Sequence, residues 1–374
     1  MIRHPQQRLQ PGSLVEVLSR EGSFIGRGIY NYKSNIGIRL LTENASEMLG
    51  SEFFFKKLEQ AKILREEILG IHRTSNCYRL VHGEADGLSG LIIDKFADVF
   101  VVEPYSAGYI GIMEWIASSL QSLYPGSRIV VRPDERIAVK EGADFSKVAK
   151  AYPSPDFIEI SENLLRMKVN LKTGHKTGFF LDQRENRLTL SHCCHGKEVL
   201  DCFCYTGGFA ISAMLAGAKS ASAIDLDEKA LETARENARL NSANVTFQHV
   251  NAFDHLRMMI SKGMQADIVI LDPAKLAGCT EEISRAHRTY GDINKLGMQV
   301  VSPGGILLTC SCSGLISEMD FLSILTRSAA EAGVVLQIFK LTGASPDHPF
   351  SSIFPEGRYL KAVFARVFPY TKKE

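Results

Sequence analysis

One stretch constrains the fold of this chain more than any other: residues 198–227, EVLDCFCYTGGFAISAMLAGAKSASAIDLD. An apolar run that begins at Val199 stops at Gly207 and Gly208, where glycine allows a sharp turn and a close approach of the backbone to a ligand. A helical segment follows, and a second apolar run ends at Asp225. Strand, glycine turn, helix and strand in this order predict one unit of a doubly wound α/β sheet.

The position of Asp225 predicts a ligand that carries a ribose. It lies 24 residues after Asp201, close to the roughly 20-residue spacing at which a carboxylate meets a ribose hydroxyl in such sheets. The turn is not G-x-G-x-x-G, because bulky Phe203 and Tyr205 precede two adjacent glycines, and the close contact that a pyrophosphate needs is missing. An adenosine without phosphates, as in S-adenosylmethionine, therefore suits the turn better than NAD. A structural turn without a ligand is the alternative.

Length and composition limit the number of domains and the class of protein to which this unit belongs. A chain of 374 residues exceeds one ordinary core and predicts two or three domains. With 45% hydrophobic and 23% charged residues, a soluble globular protein is expected. We see no uncharged apolar run of the about 18 residues that a membrane span needs, and residues 1–5 begin no secretory signal. A cytoplasmic location without a membrane partner is expected.

The cysteines and the net charge exclude further classes. The eight cysteines include no C-x-x-C pair, so reduced thiols are expected rather than disulfides. Two C-x-C pairs, at 202/204 and 310/312, are candidate metal ligands, but zinc sites favour wider spacing and no metal is expected. Because the net charge is only +1, any nucleic-acid contact must come from local patches.

Three domains are predicted along the chain. Residues 1–60 read as a small β module whose excess of basic residues, Arg27 and Arg39 among them, is consistent with a phosphate-facing surface or with a solvated rim. Residues 61–152 read as an α+β middle domain. Residues 153–374 alternate strands and helices, which predicts a mostly parallel, Rossmann-like α/β sheet with helices on both faces.

Every unusual motif of the last domain follows a predicted strand. Besides the glycine turn and Asp225, these motifs contain Asn251, Asp272 and Cys312. Ligands of open α/β sheets bind at the carboxyl ends of the strands, so this coincidence predicts an enzyme site. The charged loop 173–187, TGHKTGFFLDQRENR, leads into the central turn. Its glycines and its position favour a lid or a substrate contact over a merely solvated loop.

A thiol at a strand end suggests the chemistry. Cys312 lies in a loop of serine and glycine, where a thiolate can act as a nucleophile, whereas Cys310 follows a buried run and is predicted to pack in the core. Taken alone, a cysteine such as Cys312 is more often an inert thiol than a nucleophile. Together with an adenosyl site and Asp272, Cys312 suggests methylation of cytosine. Carbon 5 of cytosine is a poor nucleophile until a thiolate adds to carbon 6, and the cysteine is then lost by elimination.

Four motifs in combination resemble one family. GHKTGFFLDQRENR, DCFCYTGGFA, ILLTCSCSGL and DHPF…FPEGRYLK are similar to those of the RlmI-like large-subunit (23S) ribosomal RNA cytosine-C5 methyltransferases, from about residue 12 to the C-terminus. The resemblance implies an N-terminal PUA domain, a small middle domain and a class I methyltransferase domain. It also implies S-adenosylmethionine as cofactor and large-subunit ribosomal RNA as partner, with a homodimer left open.

The resemblance assigns roles to individual residues. Cys312 matches the nucleophile and Asp272 the carboxylate that faces the target base. The residues implied to bind the methyl donor are Phe203, Tyr205, Gly207, Gly208, Asp225 for the ribose, Asn251 for the adenine edge, Asp272, Gln183 and Arg184. The residues implied to bind RNA are Arg27, Arg39, His175, Lys176 and Lys275.

Three departures from the family pattern keep alternatives open. The segment before residue 12 is short, so the PUA module is expected to lack its first strand. Ala274 replaces the second proline of Asp-Pro-Pro-Lys, and Asn251 replaces an aspartate. A methyltransferase for guanine or adenine is one alternative, although Lys275 stands where a stacking aromatic residue is usual and Cys312 would have no task. An RNA-binding or assembly protein with a decayed site is the other, supported only by the changes at 251 and 274.

Overall fold

The structure, a computed structural model, describes residues 9–172 and 177–370. The predicted RNA contacts His175 and Lys176 and the N-terminal residues 1–5 lie outside the described residues. The chain divides into two compact units. The first comprises Met1–Ile160, Asn170–Phe179 and Pro346–Gly357, and the second Ser161–Val169, Phe180–Ser345 and Arg358–Glu374. The division into three domains stays a prediction.

The first unit contains two sheets. Its strands are β1 (Ser13–Leu18), β2 (Phe24–Tyr30), β3 (Ile38–Thr42), β4 (Cys77–His82), β5 (Leu91–Phe96), β6 (Val99–Pro104) and β7 (Arg128–Val131). Strands β1 to β3 form an antiparallel sheet, and β4 to β7 form a second sheet in which only the β6–β7 pair is parallel. Its helices are α1 (Ser51–Lys62), α2 (Gly108–Leu123), α3 (Glu135–Glu141) and α4 (Ser146–Ala151).

Apolar runs in the sequence place the core of this unit. Strand β6 is buried along its whole length, as its continuous apolar run predicts. Helix α1 turns Phe54 and Leu58 into the same core, continues as a π-helical segment, Ile63–Ile68, and stops before Gly70. Gly70 has the left-handed φ of 62° that suits glycine after a helix. The helical spacing of apolar residues over 53–69, followed by Gly70, predicts a helix that stops at the glycine, and the structure confirms it.

The chain passes between the units through β8 (Phe157–Glu162) and β9 (Leu165–Asn170). The remaining strands are β10 (Glu198–Cys202), β11 (Ser220–Asp225), β12 (Val245–His249), β13 (Ala266–Leu271), β14 (Val301–Ser311), β15 (Val334–Thr342) and β16 (Lys361–Pro369). The remaining helices are α5 (Arg184–Ser191), α6 (Gly208–Leu215), α7 (Glu228–Leu240), α8 (Ala252–Ser261), α9 (Ile283–Val300) and α10 (Glu318–Ala332).

The second unit is built on one seven-stranded sheet of order β12-β11-β10-β13-β14-β16-β15. The first five strands of that order run parallel, and β16 runs antiparallel to both of its neighbours. The predicted doubly wound α/β fold is confirmed. As a consequence, the carboxyl ends of β10, β11, β12, β13 and β14 lie at one edge of the sheet, where a ligand site is expected.

Local signals set the ends of the helices that support this edge. The Asp227 side chain accepts a hydrogen bond from the Ala230 N–H at 3.0 Å and caps α7, which is the role that a short polar side chain before an amphipathic run predicts. Ser317 and Asp320 form a reciprocal capping box at the start of α10. Within 9–172 and 177–370, no helix is both long and apolar enough to cross a bilayer. The same residues contain no group of three His, Cys, Asp or Glu placed to hold a metal ion.

Candidate active site

The turn after β10 has an unusual backbone. Phe203 and Tyr205 take the left-handed conformation at φ 64° and 50°, and Gly207 does so at 85°. A side chain at Gly207 would place its first carbon 3.1 Å from Ile211 and 3.2 Å from the Phe247 ring, so the tight contacts and the left-handed backbone both favour glycine there. The Cys204 N–H donates to the Ile224 carbonyl at 3.1 Å and ties the turn to β11. Bulky residues in a left-handed conformation store strain, which clusters at ligand sites.

Asp225 fixes this turn from the neighbouring strand. One carboxylate oxygen accepts the Tyr205 N–H at 2.8 Å, and the other accepts the Asp227 N–H at 2.8 Å. The side chain is half-buried. Since each carboxylate oxygen can accept two hydrogen bonds, Asp225 can still accept bonds from a ligand beside the turn.

Asp201, which the sequence analysis used only as a reference point, lies beneath the same turn. It is 1% exposed, and its Oδ2 accepts the Ala210 N–H at 3.0 Å. Its Oδ1 is buried and has no partner among the described residues. Burial raises the pKa of this carboxyl well above its usual range, and the charges of Asp272 and Asp225 add to that rise. A buried polar atom without a partner marks a place where a polar ligand group fits.

Asp272 meets Gln183 at the same edge of the sheet. Gln183 is buried, and its Nε2 donates to Asp272 Oδ2 at 2.9 Å, while its Oε1 accepts from Asn186 at 2.6 Å. Gln183 is thus held from both ends and orients the carboxylate. Arg184 is buried, and its Nε lies 3.3 Å from Glu185 Oε1. The two residues implied to bind the donor therefore lie on one short segment, of which Gln183 touches the site.

Ser313 joins the loop of Asp272 to the loop of Cys312. Its hydroxyl accepts the N–H groups of Leu276 and Ala277, both at 3.1 Å, and lies 3.1 Å from the Tyr290 hydroxyl. The Cys312 sulfur consequently lies 3.8 Å from the Pro273 carbonyl oxygen, next to Asp272. A thiol and a carboxylate from two different strands are thereby brought together.

The two neighbouring thiols differ in burial. Cys310 is fully buried in the core, and burial raises its pKa well above the usual range. Cys312 is half-buried. The prediction that Cys310 packs in the core is confirmed, and of this pair only Cys312 is partly exposed.

Arg187 has a structural task that the loop pattern does not reveal. Its guanidinium forms a bidentate pair with Glu162 at 2.7 and 2.6 Å, and the two side chains are only 4% and 1% exposed. It also donates to the Phe180 carbonyl at 3.1 Å and lies 5.9 Å from the Phe209 ring. The lid or substrate-contact role that is predicted for the charged loop therefore does not extend to Arg187, which is buried beside the glycine turn.

The other candidate residues take varied positions. Asn251 caps α8 by accepting the Phe253 N–H at 2.9 Å, and Lys275 is exposed on the loop after Asp272. Arg27 pairs with Glu16 at 2.9 Å and also donates to two backbone carbonyls. Arg39 lies 3.7 Å from the Glu84 carboxylate. Because both arginines have partners within the protein, their role in RNA binding stays a prediction.

Two family models match separate parts of this chain. A family model described as S-adenosylmethionine-dependent methyltransferase matches residues 150–364, and a PUA-like domain model matches residues 1–43. The ribosomal RNA large subunit methyltransferase I of Pseudoalteromonas atlantica is 38% identical over 98% of this chain and 93% of its own length. The protein of that name from Klebsiella pneumoniae is 36% identical over 98% and 92%. This chain belongs to that methyltransferase family.

Membership confirms the resemblance, the PUA-like module, the methyltransferase fold and S-adenosylmethionine as the cofactor. Solved structures agree on the fold. A protein described as a SAM-dependent methyltransferase from Streptococcus mutans has a TM-score of 0.79 at 19% identity, over 96% of this chain and 93% of that one. The methyltransferase SMU.776, complexed with SAH, has a TM-score of 0.81 at 20% identity, over 97% and 93%.

Proposed function

We propose that this protein methylates carbon 5 of a cytosine in large-subunit ribosomal RNA through a covalent adduct with Cys312. The observation that carries the proposal is the half-buried Cys312 thiol, 3.8 Å from the Pro273 carbonyl in the loop of Asp272. Methylation of an exocyclic amino group of guanine or adenine has no use for a thiol there. The names of the relatives supply the RNA class.

The residues around the glycine turn fit S-adenosylmethionine, which supplies a methyl group when bound. Gly207 carries no side chain and takes a left-handed φ of 85° in the turn, and Asp201 Oδ1 lacks a partner among the described residues. We assign the ribose hydroxyls to the Asp225 carboxylate and the adenine edge to Asn251. The Asn251 oxygen already accepts the Phe253 N–H, so its second lone pair would serve the adenine amino group.

Two residues of the chain, Cys312 and Asp272, then act on the target base. Cys312 sulfur bonds to carbon 6 of a flipped-out cytosine, the ring electrons shift, and carbon 5 becomes nucleophilic. The Asp272 carboxylate, oriented by Gln183, accepts a hydrogen bond from the cytosine amino group and selects cytosine at this position. Once carbon 5 carries the methyl group, water at the site accepts its proton, the electrons of that carbon–hydrogen bond re-form the double bond between carbons 5 and 6, and the carbon–sulfur bond breaks, so that Cys312 leaves as thiolate.

Analysis of the methylated nucleoside tests this function. We expect that ribosomal RNA incubated with the protein and labelled S-adenosylmethionine yields labelled 5-methylcytidine after digestion. Bisulfite sequencing of ribosomal RNA from cells with and without the gene would locate the site. A labelled methylguanosine or methyladenosine would support the first alternative instead. Failure to bind S-adenosylmethionine in calorimetry would support the decayed-site alternative.

Asp225→Ala is expected to weaken S-adenosylmethionine binding tenfold or more. A hydrogen bond from a ribose hydroxyl to a carboxylate contributes about 1.5–3 kcal/mol, and about 1.4 kcal/mol corresponds to a tenfold change in affinity. Calorimetric titration measures the effect. Asp225→Asn is the matched control: it can keep one acceptor for the Tyr205 N–H and should lose less. Unchanged affinity in the alanine variant would place the ribose elsewhere.

RNA affinity is expected to depend on salt through exposed cations near the site. Lys275→Glu should weaken binding to many RNAs alike. It should also reduce the magnitude of the slope of log affinity against log salt by about one, because the phosphate contact that is lost no longer releases counterions on binding. Exposed Lys219, at the start of β11 and so at the opposite edge of the sheet, is the matched control. Filter binding at several salt concentrations measures both variants, and equal losses for Lys275→Glu and Lys219→Glu would contradict a local contact.

A further inference from the structure

A buried lysine lies behind the Cys312 loop. Lys361 is 4% exposed and pairs in register with Ser311, the last residue of β14. Its ammonium donates to the Ser313 carbonyl at 2.6 Å and to the Tyr359 carbonyl at 2.9 Å. Among the described residues no carboxylate lies within ion-pair distance of it. Lys361 therefore holds the residue that follows Cys312 by a charge-assisted hydrogen bond.

Burial of this ammonium is unfavourable unless a negative charge offsets it. Burial lowers the pKa of Lys361 to about 8. Three acidic groups act in the opposite direction and raise that pKa: the Cys312 thiol most strongly, then Glu318 and Asp320. These two carboxylates have other partners: Glu318 pairs with Arg358 at 2.7 Å, and Asp320 caps α10 with Ser317. If Lys361 served only to fill space, an apolar side chain of the same size would give a more stable protein.

We propose that Lys361 is a positioning residue for the nucleophile: its ammonium fixes the loop that presents Cys312 and balances the charge of the Cys312 thiolate. The inference rests on the proposed covalent mechanism. Other titratable groups lie around the thiol. Tyr290, whose pKa burial raises to about 12, is neutral near pH 7, and so is the fully buried Cys310 thiol, whose pKa burial raises well above its usual range. The Asp272 carboxylate lies beside Pro273, whose carbonyl the Cys312 sulfur contacts, and a negative charge there disfavours the thiolate. Lys361 is thus the group among these that favours it.

Alkylation of Cys312 by iodoacetamide tests the proposal without RNA or cofactor. We expect Lys361→Met to slow alkylation of Cys312 near pH 7.5 about tenfold and to move the midpoint of its pH profile upward by about one unit, because a nearby cation is lost. Peptide mass mapping reads each thiol separately, and exposed Cys279 is the internal reference. Arg358→Met, which removes an exposed cation three residues away, is the control and should leave the profile unchanged.

A second variant separates charge from anchoring. Lys361→Gln keeps an N–H donor for the Ser313 carbonyl but carries no charge, and we expect it to shift the profile as Lys361→Met does. Wild-type reactivity in the glutamine variant would reduce Lys361 to an anchor and overturn the charge role. If neither variant folds, the wild-type profile decides: a midpoint for Cys312 below about 8.5, the value of an unperturbed thiol, supports the proposal, and one at or above it overturns it.

The outcomes separate this inference from the proposed function. A shifted alkylation profile in a protein that makes no 5-methylcytidine would sustain the Lys361–Cys312 interaction and reject the reaction. Normal 5-methylcytidine formation by Lys361→Met, with an unshifted profile, would reject the role of Lys361 and sustain the reaction.

Discussion

Replacing Cys312 by alanine is expected to lower the rate of RNA methylation at least about 10³-fold, because the thiol supplies a covalent step that no other group can replace. S-adenosylmethionine binding should remain within about twofold of the wild type, since the residues assigned to the ribose and the adenine edge, Asp225 and Asn251, lie at the ends of β11 and β12 and not on the Cys312 loop. Cys310→Ala is the matched control. It removes a fully buried sulfur and should cost about 1 kcal/mol of stability while activity is kept. Methyl incorporation and calorimetry measure the two effects.

A substrate analogue identifies the attacking sulfur directly. RNA that contains 5-fluorocytosine cannot lose its substituent at carbon 5, so the adduct is expected to accumulate on Cys312 in the presence of S-adenosylmethionine. Peptide mapping locates the adduct. An adduct on Cys310, or rapid turnover by the Cys312→Ala protein, would show that the assignment of the nucleophile is wrong.

The sequence predicted those parts of the fold that local patterns determine. Asp227 precedes an amphipathic run and caps α7, as a short polar side chain at that position should. Helix α9 was not predicted, because Gly291 and Gly297 lower its intrinsic helical propensity. A side chain at Gly297 would lie 2.7 Å from the Leu271 side chain on β13 and would force it to move, so the glycine fits the packing of the helix on the sheet. That requirement is tertiary and leaves no local signal.

The residues of the candidate site also fall into those that the sequence pattern predicted and those that it did not. Asp225, Asp272 and Cys312 were found because the ends of parallel strands meet at one edge. The left-handed backbone at Phe203 was not predicted, because bulky residues rarely adopt it. It accompanies a tertiary contact, the hydrogen bond from the Cys204 N–H to the Ile224 carbonyl that ties the turn to β11. Lys361 was also missed. A lysine in sequence predicts solvent exposure, and only the pairing of β16 with β14 buries it.

Arg187→Met is expected to destabilise the second unit by about 3–5 kcal/mol, because it leaves the Glu162 carboxylate buried without its cation. Methionine keeps most of the apolar volume of the side chain, so the loss reports the charge more than the packing. Urea denaturation measures the change in the free energy of unfolding. Lys168→Met is the matched control, since the Lys168–Glu236 pair is exposed and should contribute no more than about 1 kcal/mol.

The double variant Glu162→Gln, Arg187→Met decides whether that loss comes from the unpaired charge. Removing both charges should restore much of the stability, since a buried ion pair contributes little net free energy once its desolvation is counted. The Phe180 carbonyl would still lack the Arg187 donor, and the ring of Phe180 lies edge-on to Tyr205 of the strained turn, with centroids 5.1 Å apart. We therefore expect a double variant that is stable but binds S-adenosylmethionine more weakly than the wild type. Equal destabilisation of the single and double variants would attribute the effect to packing instead.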